Sequence, residues 1–466
     1  MKQLVYTAIL AGATAFAAPT RASDLSVLGE TPLNQADFWV RTVTPELIKE
    51  QLKAGADLNK LDELGDNAVV WAGNTGASED VWRLLIKKGA DLTGKLKEER
   101  EAIFWVTKGG TPDAVRLVMS RPGVNIHLLD SSGRNAFAHA TRQQPDLQVF
   151  RLLVDAGINI RQKDSNGRTA IHEAAMRTRY VHVLEYLNSV GLQYSELNSF
   201  GRDAFLDAAW RNPIYDVVVF LASKSDIRRT DKDGLNAVML ASENNPSGKV
   251  FKWLLDQGLK PDGVDANGAT ALVRSGANSA EVASQLIAMG QDVNAVDNDG
   301  NTAFINAGKA TVFGPDLYAL LDKAGARKQA VNNDGMNALM FALDNNRPDQ
   351  NGPQNVLLLL KKYKVSPFKK TKDGDTVLTL AAAARQPKQV LHALFSENQQ
   401  LNVNARGSDG RTPLMHYAAE GYDVEAIQFL LRSGAKTGMK DNEGRTAKDL
   451  ALANPSLAAS PIIGRL

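Results

Sequence analysis

Apolar residues recur along the chain with a spacing that predicts short helices, each with one buried side. The positions i, i+3 and i+4 are apolar in many segments, as in Val81, Leu84 and Leu85, in Val149, Leu152 and Leu153, and in Ile427, Leu430 and Leu431. Because an α-helix has about 3.6 residues per turn, such a set forms a single stripe along the helix. Small pairs such as Ala174-Ala175 lie in a shorter helical pattern ahead of the stripe, where they permit close helix contacts. The pattern therefore predicts an all-α fold made of helix pairs.

A polar turn precedes each helix pair and recurs at a nearly constant interval. It reads DSSGRNA from Asp130, DSNGRTA from Asp164 and NSFGRDA from Asn198, so these copies are 34 residues apart. Glycine supplies the positive φ of the turn, and the leading Asp or Asn bonds nearby backbone N–H groups. The turn glycines are Gly29, Gly65, Gly133, Gly167, Gly201, Gly234, Gly268, Gly300, Gly335, Gly374, Gly410 and Gly444. With Glu99 at the position of a missing glycine, the series predicts about 12 full units and a terminal half.

The turn and the residues that follow it resemble the ankyrin repeat. The matching elements are Thr31-Pro32-Leu33, Thr412-Pro413-Leu414 and the run Thr169 to Ala175, which reads TAIHEAA. The resemblance covers residues 23–466 and implies a single continuous all-α solenoid of about 12 helix–turn–helix units with short β-turn tips. It also implies an extended concave surface, lined by turn tips and first helices, that binds a protein partner.

Two segments depart from the regular unit. The unit from Gly335 is longer than the others, and its extra residues lie in the polar stretch from Asp344 to Gln354. This stretch predicts an enlarged helix–helix loop, either a tolerated insertion or a contact loop. The mildly apolar tail from Pro455 to Leu466 is expected to cap the last unit.

The N-terminus has the pattern of an export signal. A positive start with Lys2 is followed by an uncharged apolar run of 15 residues, Leu4 to Ala18. Small residues at Thr20 and Ala22 then predict cleavage after Ala22, so residues 1–22 are a signal peptide. The alternative, a membrane anchor, is disfavoured because so short a run does not comfortably span a hydrocarbon core of about 30 Å. We therefore expect a periplasmic protein, with secretion from the cell as the alternative.

Composition narrows the classes of function. The chain has 54 Lys+Arg against 52 Asp+Glu, and removal of residues 1–22 takes away Lys2 and Arg21. The resulting net charge of zero argues against general nucleic-acid binding through overall charge. The absence of cysteine excludes disulfides, thiolate nucleophiles and Cys-ligated metals. Beyond the leader the sequence has no apolar run of 18 or more residues, so no membrane span is predicted.

Motifs for catalysis and metal binding fail on inspection. The segment Gly89 to Lys95 fits a phosphate-binding loop formally, but Leu96 stands where that motif needs Ser or Thr. The turn from Asp297 to Gly300 resembles a calcium loop, but its glycine comes too early. The six histidines have no metal-ligand spacing. We therefore predict a non-enzymatic protein with no catalytic residues, no metal site and no cofactor.

Arginine and aromatic residues occupy the variable positions of the repeat. The resemblance implies that residues beside the turn glycine, and those nine and ten residues after it, are exposed on the concave surface. The predicted partner-binding residues are Arg100, Arg134, Arg142, Arg168, Arg177, Phe200, Arg202, Trp210 and Arg211. Arginine and tryptophan are enriched in interface cores, which supports a partner surface, but solvated turn tips are the alternative. A second candidate, for an anionic surface, is the lysine cluster of Lys361, Lys362, Lys364, Lys369, Lys370 and Lys372.

These observations predict a monomeric periplasmic scaffold that binds one protein partner through its concave face. The resemblance to exported bacterial ankyrin proteins implies two roles for such a scaffold. It is either an accessory to a periplasmic enzyme such as a catalase, or an immunity protein that neutralises a toxin. The alternative class is a secreted effector that binds a host protein.

Overall fold

The fold is described from a computed structural model of the chain. The described residues are 33, 36–39, 43–61, 66–93, 101–275, 280–309, 315–344, 354–397, 400–420 and 423–466. The predicted signal peptide at 1–22, the turn positions Gly29, Gly65 and Glu99, and residues 345–353 of the enlarged loop lie outside them. The prediction of one continuous array from residue 23 to residue 466 stays a prediction.

The chain forms two compact units, residues 1–227 and residues 228–466. In its described part, the N-terminal unit has helices α1 to α12, which are in order Ala36–Trp39, Pro45–Lys53, Ala68–Thr75, Glu79–Lys87, Ala102–Gly109, Pro112–Met119, Ala136–Ala140, Leu147–Asp155, Ala170–Arg177, Val181–Ser189, Ala204–Arg211 and Tyr215–Ala222. The described part of the C-terminal unit has helices α13 to α24, which are Ala237–Asn244, Gly248–Asp256, Ala271–Ser275, Ala280–Ala288, Ala303–Asn306, Pro315–Lys323, Ala338–Leu343, Val377–Ala383, Lys388–Glu397, Pro413–Glu420, Val424–Arg432 and Ala447–Ala453. The described part of this unit also has a π-helix at Leu358–Lys362 and 3₁₀ turns at Ala307–Lys309 and Pro461–Arg465.

No β-strand occurs among the described residues, so the predicted all-α class is confirmed. The helices alternate between a short first helix, which follows the turn, and a second helix with the apolar stripe. Within each unit, first helices pack against first helices of the neighbouring repeats, as α5 does against α3 and α7. Each unit is therefore a stack of helix pairs.

Polar residues at the helix starts fix where the first helices begin. Asn135 precedes α7, and its side-chain oxygen accepts a hydrogen bond from the Ala138 N–H at 3.1 Å. Its amide nitrogen donates to the Asn159 carbonyl at 2.8 Å. One side chain thus satisfies a free N–H of the helix and also holds the following turn in place.

Small residues allow the first helices to approach closely. Ala174 and Ala175 on α9 are fully buried. A Cβ atom added to Gly73 on α3 would lie 2.5 Å from the backbone of Trp105 on α5. Because no side chain fits in that space, glycine is required at this helix contact.

The C-terminal tail packs against the last helix, as predicted. Leu457 is fully buried and Ile462 is 3% exposed. The 3₁₀ turn that contains Ile462 contacts α24. The tail therefore covers part of the apolar surface of α24.

We expect the Leu457→Ala variant to lose about 2–5 kcal/mol of unfolding free energy, because a cavity replaces a fully buried side chain. Leu452→Ala is the matched control, since Leu452 is 52% exposed and its truncation should cost about 0.5 kcal/mol or less. Urea unfolding followed by circular dichroism compares the two variants. Equal stability of the two variants would contradict a capping role for the tail.

Candidate functional site

The turn tips of the N-terminal unit are held by buried side chains of Asp and Asn. The Oδ1 atom of Asp130 accepts a hydrogen bond from the Arg134 N–H at 2.9 Å, and that of Asp164 accepts from the Arg168 N–H at 2.8 Å. The glycine before each arginine has positive φ, for example +69° at Gly167. This geometry fixes the backbone of the arginine that follows each glycine.

Hydrogen bonds also join neighbouring tips. The Ser165 N–H donates to the Ser132 carbonyl at 2.8 Å, and the Ser199 N–H donates to the Asn166 carbonyl at 2.9 Å. A Cβ atom on Gly167 would lie only 3.0 Å from the Ser199 nitrogen, so glycine permits this close contact. Arginines at equivalent positions of successive repeats are consequently brought into register.

Glu173 on α9 lies at the centre of the first arginine group. Its side chain is 4% exposed, and its carboxylate forms ion pairs with Arg142 at 3.2 Å, Arg177 at 3.3 Å and Arg134 at 3.9 Å. Burial alone would raise the pKa of Glu173, but the three arginines hold that pKa below its ordinary value. Glu173 is therefore ionised and links side chains from consecutive repeats.

Arg134 has a second carboxylate partner in its own turn. Its Nε donates to Asp130 Oδ2 at 2.8 Å, and His139 Nε2 lies 2.8 Å from the same oxygen. Burial lowers the pKa of His139, which keeps the ring neutral near neutral pH. The His139 ring also stacks on Phe104 at a centroid distance of 4.7 Å, so this histidine supports the repeat contact.

A second group surrounds the buried Asp207 on α11. Asn198 Nδ2 donates to Asp207 Oδ2 at 2.9 Å, and Arg168 Nε lies 3.5 Å from the same oxygen. The guanidinium groups of Arg168 and Arg202 lie 5.2 to 5.4 Å from the ring centroids of Phe200 and Trp210. Cations over aromatic faces, next to a buried carboxylate, form a dense polar layer between repeats.

The expected exposure of Arg168 and Arg202 is wrong. The two residues are only 8% and 6% exposed, respectively. Asp207 and the faces of Phe200 and Trp210 attract their guanidinium groups into the layer between repeats, where cation–π and ionic contacts replace hydration. Whether these arginines bind a partner stays a prediction, but they act in the repeat-to-repeat contact.

The other predicted residues remain more accessible. Phe200 is 37% exposed, Arg211 is exposed and Trp210 is half-buried, while the side chains of Arg142 and Arg177 are 20% and 31% exposed. We call the surface of these five residues the tip face of the N-terminal unit. Arg134 is 18% exposed at its edge, and Arg100 lies outside the described residues.

Sequence reasoning missed the two buried carboxylates that organise these groups. Glu173 and Asp207 each lie six residues after a turn glycine, Gly167 and Gly201. The residue six after Gly268 is Arg274, which in the C-terminal unit pairs with Asp265 and Glu243. A charged residue at this position of the first helix is the signal that could have revealed the ion pairs.

The described residues do not form a metal site or a membrane-spanning helix. In that part of the chain, no three or more His, Asp or Glu side chains are grouped so as to hold a metal ion. Nor does any helix there combine the length and the hydropathy that a membrane crossing requires. A cleft of about 360 Å³ in the C-terminal unit is lined by Glu243, Asp265, Arg274 and Asp297, among others, and the ion pairs of Arg274 bridge part of that lining.

Comparison with known families gives a match to a repeat family. A family model described as "Ankyrin repeats (3 copies)" matches residues 103–198, 205–297, 349–441 and 378–458, well over half of the chain. No curated protein matches the sequence significantly.

The pKa of Asp207 yields a test of the buried groups. Burial raises this pKa to about 7, against the opposing attraction of Arg168 and Arg202. An aspartate in an unfolded chain has a pKa of about 3.9. Between these values the folded state holds a proton that the unfolded state has lost, so the free energy of unfolding falls as pH rises. The slope from this group is at most about 1.4 kcal/mol per pH unit.

The Asp207→Asn variant cannot titrate at this position. We expect its unfolding free energy to fall less steeply than that of the parent between about pH 4 and pH 7. Urea unfolding at several pH values in this range measures the slope of unfolding free energy against pH for each protein. The contributions of the other titrating groups are common to both proteins and cancel when the two slopes are compared. Identical slopes would contradict the raised pKa.

Proposed function

Since the chain belongs to the ankyrin-repeat family, we propose that it is a non-enzymatic scaffold and that it binds a protein partner through the tip face of its N-terminal unit. Members of this family are generally protein-interaction scaffolds. Framework positions of the repeat supply the turns, the caps and the core. The variable positions at the tips carry arginine and aromatic side chains, which are the residues enriched at binding hot spots.

The contacts that hold the side chains of the tip face are the observation that carries this proposal. Glu173 forms ion pairs with Arg142 and Arg177, and the guanidinium groups of Arg168 and Arg202 lie against the rings of Phe200 and Trp210. Side chains that are already fixed lose less conformational entropy when a partner binds. The arrangement thus favours a preorganised binding surface over a row of solvated arginines.

We further propose that residues 1–22 direct export and that the scaffold acts in the periplasm. The support is the positively charged start, the apolar run from Leu4 to Ala18 and the small residues before position 23. In that compartment its partner is an enzyme that it assists or a toxin that it neutralises. Secretion to act on a host protein is the second candidate, and it needs a further export route.

Affinity capture with the mature protein tests the tip face directly. We expect the Phe200→Ala, Arg211→Glu variant to retain at least about tenfold less partner from periplasmic extract than the parent. Phe200 and Arg211 make no ion pair with described residues, so the fold should survive, and circular dichroism melting verifies it.

The control is Phe368→Ala, Lys369→Glu, which makes the same chemical changes at exposed positions of the C-terminal unit. Equal recovery of one partner by all three proteins would contradict binding through the tip face. The identity of the partner decides between an enzyme and a toxin.

A further inference from the structure

Positive charge exceeds negative charge around Glu173. Four cations lie close enough to repel one another: Lys108, Arg142, Arg177 and Arg211. We call these four residues the basic cluster. Glu173 pairs with two of them and attracts Arg211, while Asp66 attracts Lys108. Two carboxylates thus face four cations. Arg134 adds no excess, because it pairs with Asp130.

Burial and mutual repulsion lower the pKa values of Lys108, Arg177 and Arg211 in the basic cluster. Burial, with repulsion from Arg142 and Arg177, lowers the pKa of Lys108 to about 8. Burial and repulsion from Arg142 and Arg211 lower the pKa of Arg177 to about 10, although Glu173 opposes the change. An added negative charge would relieve this repulsion.

The basic cluster also has hydrogen-bond donors that are not in use. Arg142 donates to Glu173 through Nε alone, and Arg177 faces Glu173 with the same nitrogen. In residues 101–275, no acceptor is hydrogen-bonded to the terminal nitrogens of these two arginines or to any nitrogen of Arg211. A guanidinium fork whose outer edge is open matches a carboxylate with two parallel hydrogen bonds.

We propose that the basic cluster receives an acidic segment of the partner protein, in which neighbouring Asp or Glu side chains pair with Arg142, Arg177 and Arg211. The inference rests on the proposed function and names the chemistry of the partner. Trp210 borders the cluster, since its ring centroid lies 5.8 Å from the Arg211 guanidinium, and it gives the segment an apolar contact at its edge.

A protein segment fits better than a nucleic acid because the positive charge is local. From residue 96 to residue 215 the chain has 15 Lys+Arg and 13 Asp+Glu, so cations outside the basic cluster are largely balanced. A nucleic-acid backbone needs a longer track of unpaired cations, since each phosphate contributes its own charge.

Fluorescence anisotropy with defined probes tests the inference. The probes are fluorescein-labelled octaglutamate, octalysine and an oligothymidylate of similar length. We expect the parent to bind octaglutamate best, and the Arg177→Gln, Arg211→Gln variant to bind it at least about tenfold more weakly. Arg142 and Arg134 still pair with Glu173 in this variant. The single Arg211→Gln variant breaks no ion pair with a described residue, so it separates weaker binding from loss of fold.

Two further variants sharpen the experiment. Lys436→Gln, Lys440→Gln removes the same charge from exposed residues of the C-terminal unit and should leave octaglutamate binding unchanged. The Arg177→Lys, Arg211→Lys variant keeps both positive charges but lacks the guanidinium groups, which can donate two parallel hydrogen bonds to one carboxylate. It should therefore bind octaglutamate with intermediate affinity.

Three results would overturn the inference: no binding of octaglutamate by the parent, equal binding by the parent and the Arg177→Gln, Arg211→Gln variant, or tighter binding of octalysine or oligothymidylate. Because the probes are free peptides and a nucleotide chain, such a result leaves the capture of a partner by the tip face untouched. Conversely, failed capture with intact octaglutamate binding would count against the proposed function alone.

Discussion

A side-chain oxygen at the start of most of the described turns is the constraint on which the rest of the structure depends. An Asp or Asn side chain accepts the backbone N–H four residues later, and a glycine with positive φ stands between the two. This bond recurs at Asp130, Asp164, Asn198, Asp231, Asp265, Asp297, Asn332 and Asp441. With the tip fixed, its backbone can bond the next tip, as the Asn333 N–H does to the Asp299 carbonyl at 2.7 Å. The tips thereby set the spacing of the repeats and of every side chain that they carry.

The N-terminal unit uses this regular spacing to bury charge between repeats. Glu173 and Asp207 occupy the same position of consecutive first helices, and arginines from neighbouring tips surround them. Burial of a carboxylate is unfavourable unless it is paired and hydrogen-bonded, so these groups add little net stability. Their effect is to fix the orientation of Arg142, Arg177 and the rings beside Arg168. The side chains of this surface are held in place by buried contacts, as in a protein core. Its composition, rich in arginine and aromatic residues, is that of a binding interface.

Much of the fold could be predicted from the sequence because its determinants are local. The turn glycines, the capping residues and the apolar stripes act within one repeat, and the structure confirms the all-α pattern that they predict. The exposure of Arg168 could not be predicted in this way, because its aromatic partners Phe200 and Trp210 belong to the following repeat. Predicting that burial requires knowledge of how repeats stack. Glu173 and Asp207 are recognisable in the sequence as acidic residues at a position where the first helix contacts its neighbour. Which arginines surround them depends on how the repeats stack, so their ion pairs could not be predicted locally.

Photo-crosslinking tests the central claim, that the tip face of the N-terminal unit contacts the partner, most directly. Benzoylphenylalanine replaces Phe200 or Arg211 on the tip face, or Arg151 on the exposed side of the second helix α8. The account predicts that residues 200 and 211 form adducts with one and the same protein, and that residue 151 forms none. Adducts of that protein with residue 151, and none with residues 200 and 211, would contradict it.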